Sequence, residues 1–115
     1  MEHRWSRRVS TDCSAMIDGA RHGVVFARMH DLSLHGARVV TGKVSLPLHA
    51  PLVVEFSMAL APRLLQFRLA AMVVRKTADG AALMFLDLER ALQQALRAAL
   101  YESVALAPEL EQRAA

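Results

Sequence analysis

Cysteine is almost absent from this 115-residue chain: Cys13 stands alone, so no disulfide can form within the chain and no thiolate metal cluster can be assembled. Its alternating surroundings predict a buried structural thiol. Long apolar runs are missing too. Although 54% of the residues are hydrophobic, runs such as Leu69 to Val74 fall far short of the roughly 20 residues that cross a bilayer, which argues against membrane insertion. The first eight residues carry charge with no apolar stretch and no small-residue cleavage site behind them, so a secretory leader is not expected and the cytoplasm is. Aromatic residues are scarce, with one Trp, one Tyr and four Phe. A barrel that grips single-stranded nucleic acid needs exposed stacking platforms, and these rings are too few. The five histidines, at 3, 22, 30, 35 and 49, show neither metal-ligand spacing nor a nucleophile beside a base, so no metal site, no cofactor and no enzyme is expected.

What is present fits one domain with a single core. The formal charge is +3, and the tail offsets part of it: from Asp87 onward the acidic residues Asp87, Glu89, Glu102, Glu109 and Glu111 face only Arg90, Arg97 and Arg113. The body before Asp87 is therefore basic enough for a small anionic ligand, and too weakly basic to call for duplex nucleic acid. All of its basic residues except Lys43 and Lys76 are arginines. Arginine is the better planar, bidentate donor to guanine and phosphate.

Period-two alternation marks strands with one buried face. Cys13, Ala15 and Ile17 share a face, and so do Val25, Ala27 and Met29; a polar break at Asp31 to Gly36 precedes Ala37 and Val39. Beyond Pro47 and Pro51, Leu52, Val54, Phe56 and Met58 alternate, then Leu65, Phe67, Leu69, Ala71 and Val73, and Asp79-Gly80 signals a hairpin into Gly80 to Leu86. About six strands joined by short turns predict an antiparallel barrel or sandwich. After Asp87 the period changes: Leu88, Leu92, Leu96 and Leu100 recur every four residues, which predicts an amphipathic helix with Asp87 as its N-cap. The outward apolar residues Met72, Val74, Met84 and Leu86 call for cover by that helix or by a second subunit in a homodimer.

Two short segments stand outside the core pattern. One is Arg4-Trp5-Ser6-Arg7-Arg8, an RxxxR element through Arg4 and Arg8; the other is Asp31-Leu32-Ser33-Leu34-His35-Gly36, a DxSxxG element through Asp31, Ser33 and Gly36. In a chain this rich in arginine, about one RxxxR match arises by chance, against roughly 0.01 for DxSxxG. The second element therefore carries the weight. In this order, with Gly36-Ala-Arg-Val and Gly80-Ala-Ala-Leu-Met-Phe-Leu-Asp-Leu following, the chain resembles the PilZ family from about Arg4 to the terminal helix.

The resemblance implies an all-β fold with a C-terminal helix, a six-stranded antiparallel barrel of PilZ type. It divides the chain into a flexible arginine arm (1–10), the barrel (11–87), the helix (88–106) and a tail (107–115). It implies a receptor for cyclic di-GMP, with Arg4, Arg8, Asp31, Ser33 and Gly36 as ligand contacts and Arg7, Trp5, Arg38 and Arg75 as secondary ones. The receptor would change conformation and signal to a protein effector in motility, exopolysaccharide or virulence control; the alternative is a PilZ-like interaction module that does not bind the nucleotide. The chemistry suits the ligand. Cyclic di-GMP shows guanine O6 and N7 acceptors and two phosphodiesters, and arginine donates to both. Asp31 can accept from guanine N1 and N2 or hold an arginine, Ser33 offers a hydroxyl, and Gly36 allows a sharp turn and close backbone approach.

Overall fold

In the computed structural model, which describes residues 13–19, 23–60 and 62–102, six antiparallel strands close into a barrel. They are β1 (Cys13–Gly19), β2 (Gly23–His30), β3 (Gly36–Val40), β4 (Pro51–Leu60), β5 (Arg63–Lys76) and β6 (Gly80–Phe85). The order around the barrel is β1-β2-β3-β6-β5-β4, so β1 meets β4 and β3 meets β6, each across two intervening strands of the sequence. The six-stranded antiparallel barrel with a C-terminal helix is the architecture the sequence predicts.

Alternation builds this wall because successive side chains point to opposite faces of a strand. The inward set is largely the predicted one: Ala15, Ile17, Val25, Ala27, Met29, Ala37, Val39, Leu52, Val54, Phe56, Phe67, Leu69, Ala71 and Val73 are all buried, while Met58 and Leu65, paired near the turn of the β4–β5 hairpin, are only half-buried. Fully burying a Val, Leu, Ile, Phe or Met side chain contributes roughly 1.5–3 kcal/mol. Phe56 and Phe67, paired across β4 and β5, stack with ring centroids 5.3 Å apart. Cys13 is a correction: it lies at the start of β1, where the barrel opens, and is only half-buried.

The helix α1 runs Arg90–Arg97 and continues as a wider π-helical turn, Ala98–Glu102. Leu96, Ala99 and Leu100 are buried in the same core as the strands, so the leucine stripe docks on the barrel. Two expectations are corrected. Asp87 is not the N-cap; its φ of 46° is left-handed, and Glu89 takes the cap position without a side-chain bond. The helix also leaves the outer β5/β6 wall open, since Val74 and Met84 stay 41% and 40% exposed.

Candidate functional site

The Asp31 to Gly36 loop joins β2 to β3 and is held from within and from below. Leu32 and Leu34, the variable positions of the motif, are 0% and 5% exposed and anchor the loop in the core. A polar break in the sequence therefore hides two core residues. Ser33 is buried as well, and its hydroxyl is engaged by the turn: it accepts from the His35 and Gly36 amides at 3.1 and 3.3 Å and donates to the Gly36 carbonyl at 3.3 Å. The Ser33 amide donates to the same carbonyl at 2.9 Å, and the Phe85 amide donates to the His35 carbonyl at 2.8 Å, tying the loop to β6. Ser33 thus fixes the loop shape that presents its neighbours.

Asp31 sits at φ 53°, a left-handed conformation that aspartate adopts more readily than most residues. Its half-exposed carboxylate accepts from Arg38 Nε at 3.4 Å. Gly36 is needed for a reason other than a turn. It opens β3 opposite Met84, and a Cβ there would lie 1.9 Å from the Leu83 carbonyl oxygen. The sharp backbone torsion belongs to Asp31, and Gly36 supplies the close approach.

Strand register places further residues on the outer wall beside this loop. His30 pairs with Arg38, Arg38 with Ala82, and Ala82 with Arg75, one row across β2, β3, β6 and β5. The adjoining row is Gly36, Met84, Met72 and Pro51, across β3, β6, β5 and β4. The structure brings Asp31, Ser33, Gly36, Arg38 and Arg75 to one side of the barrel. Arg4, Trp5, Arg7 and Arg8 lie outside the described residues. A cavity of about 420 Å³ opens elsewhere, between β1, β2, β4 and β5, with Cys13, Phe26, Phe56 and Phe67 in its lining and, among the described residues, Glu55 as its one charged group. That lining does not suit an anion. Among the described residues no group of His, Cys, Asp or Glu is placed to hold a metal, and no helix is long and apolar enough to cross a membrane.

The chain was compared with known proteins. No curated protein matches it. Among solved structures, the PilZ domain of CeSA from a cellulose-synthesizing bacterium is similar at TM-score 0.65 and 15% identity, over 84% of this chain and 96% of that one. The Bacillus subtilis inhibitor of motility, MotI/DgrA, is similar at TM-score 0.75 and 17% identity, over 98% of this chain but 54% of the other, so this chain spans about half of it. The PilZ domain of Escherichia coli YcgR, solved with c-di-GMP, is similar at TM-score 0.69 and 18% identity, over 95% and 97% of the two chains. At these identities the likeness is one of fold. The PilZ domain family model matches residues 2–102, which takes in both arginine and Asp-Ser-Gly elements, and the chain is a member of the PilZ domain family.

Proposed function

We infer that this chain is a cytoplasmic, non-catalytic receptor that binds cyclic di-GMP between its N-terminal arginines and the Asp31 to Gly36 loop, and passes the change to a protein effector. The observation that carries this reading is the loop itself: a DxSxxG element of a PilZ chain, anchored by Leu32 and Leu34 and stapled by Ser33, with the Asp31 carboxylate turned to the surface beside Arg38. The YcgR domain of the same fold, solved with c-di-GMP, supports the choice of ligand.

In this reading Arg4 and Arg8 donate to guanine edges and phosphate, each good bidentate contact contributing roughly 1–3 kcal/mol. Asp31 accepts from guanine N1 and N2 or orients an arginine, Ser33 holds the loop in shape, and Gly36 keeps the backbone close. Arg7, Trp5, Arg38 and Arg75 add secondary contacts. Ordering of the arm over the ligand is the signal.

Titration calorimetry with cyclic di-GMP, GTP and a short oligonucleotide tests the reading. Binding of the first alone, at micromolar affinity or tighter, is the expected result, and Arg8→Ala or Asp31→Ala should abolish it while the circular dichroism spectrum stays unchanged. Silence toward all three ligands would leave a PilZ-like module that works through protein contacts; normal binding by both variants would show that the site is misplaced.

A further inference from the structure

The β1–β4 ladder is short. It runs only from Ala15, paired with Phe56, to Asp18, paired with Val53, whereas β1 stays paired with β2 back to Cys13 and β4 with β5 out to Leu60. The cavity of about 420 Å³ opens where that ladder stops, and Met16, Glu55, Ser57 and Gln66 are in its lining. Phe26 stands on its rim, on the outward face of β2, and is 75% exposed; the other three phenylalanines, Phe56, Phe67 and Phe85, are buried. It does not stand alone. Met16, directly paired with it, is 39% exposed, and Val24, next along the same face, is 55% exposed. A contiguous apolar patch rimmed by polar groups marks an interaction surface.

The rim indicates the partner. Three neighbouring rows cross this wall: Arg28 with Ser14; Phe26, Met16, Glu55 and Arg68; Val24, Asp18, Val53 and Ala70. Their charged groups are Asp18 and Glu55 against Arg28 and Arg68, so the wall is neutral although the chain carries a formal +3. A second copy, repelled by the basic surface elsewhere, meets no net charge here. Phe, Met and Arg are the residues enriched where proteins join, and lysine, which is depleted there, is missing from the three rows. Shape agrees with charge. A two-fold axis lays the projection of each copy over the recess of the other, so one face that joins its partner in this way must carry both, as this one does.

We propose that the outer wall of β1, β2 and β4 is a self-association face on which a second copy of this chain docks, the Phe26 ring of each copy entering the cavity of the other. Two phenyl rings bury roughly 150–250 Å² each, about a quarter of a standard interface of roughly 1,200–2,000 Å². Met16, Val24, Val53 and the arginine stems supply more. The resulting dimer is small and associates in the micromolar range.

The test is sedimentation equilibrium of the full chain up to high micromolar concentration, with circular dichroism as the check on folding. The wild-type mass should rise with concentration toward twice the 12.7 kDa of one chain. Phe26→Asp removes the projection from an exposed position, and Ser57→Trp fills the recess; each should weaken association at least tenfold. Mixed together, they should associate more strongly than either does alone, because the intact ring of one meets the intact cavity of the other. Val74→Asp, at the β5 bulge between Val73 and Arg75 and 41% exposed on another part of the wall, should change association less than twofold. A wild-type chain that stays monomeric throughout, its Phe26 face left to another protein or to a segment of its own chain, would overturn the proposal. So would a dimer that survives Phe26→Asp but not Val74→Asp, or a mixture no stronger than its components.

Discussion

Gly36 and Gly80 mark the two ends of the β3–β6 ladder, and each faces a carbonyl oxygen of the other strand. A Cβ on Gly36 would lie 1.9 Å from the Leu83 oxygen, and one on Gly80 1.9 Å from the Val39 oxygen. Neither glycine has the left-handed torsion that a turn would demand. Their role is to let two backbones come close. Replacing either with alanine should therefore cost about 1–3 kcal/mol, the usual range for overpacking, read as a lower urea midpoint with an unchanged slope. Equal losses at the two positions are expected, although Gly36 belongs to the proposed ligand motif and Gly80 to a hairpin. The motif suggested a sharp turn and a close backbone approach at Gly36; the fold uses only the approach, and the oxygen it meets comes from a strand far along the chain, which the sequence could not name. The same limit hid Leu32 and Leu34. Set in a polar stretch, they show no period, and only the fold reveals that they fasten the loop from below. The Asp31–Arg38 pair is half exposed and contributes less than about 1 kcal/mol to stability.

At the scale of elements, the strands were legible because one buried face imposes strict alternation, and β5 shows where that logic ends. A bulge adds one residue without changing composition, so nothing local in Arg63–Lys76 announces it. The helix was legible for a similar reason, through leucines spaced by four. Its boundaries were not. Asp87 looked like a cap, but its left-handed torsion makes it part of the corner between β6 and α1, and the chain enters the helix at Glu89. An isolated helix of eight residues is too short to persist in water, so α1 depends on what it covers. Leu96 and Leu100 are both 0% exposed. Leu96→Ala or Leu100→Ala should each lower unfolding free energy by about 2–5 kcal/mol in chemical denaturation. A neutral result at both positions would mean that the helix is an appendage and not part of the core.

For the whole molecule, the decisive feature is how the barrel closes. The pairs β1–β2, β2–β3, β4–β5 and β5–β6 join neighbours in the chain, whereas β3–β6 and β1–β4 each join strands separated by two intervening strands. Such non-local pairing puts folding in the range of milliseconds to seconds. The β3–β6 seam also begins at Gly36, so a nucleotide bound as proposed at the Asp31 to Gly36 loop lies beside a join that must part when the barrel unfolds. Ligand at 100 times its Kd adds about 2.7 kcal/mol to stability by mass action. If the seam closes after the folding transition state, nearly all of that should appear as slower unfolding, with the folding limb unmoved, in urea-jump kinetics at fixed cyclic di-GMP. Faster folding instead would show that the seam forms early. For the receptor proposed above, that outcome makes the messenger concentration set a clock as well as a signal: plentiful cyclic di-GMP would let each molecule outlive the proteolysis that otherwise follows its opening.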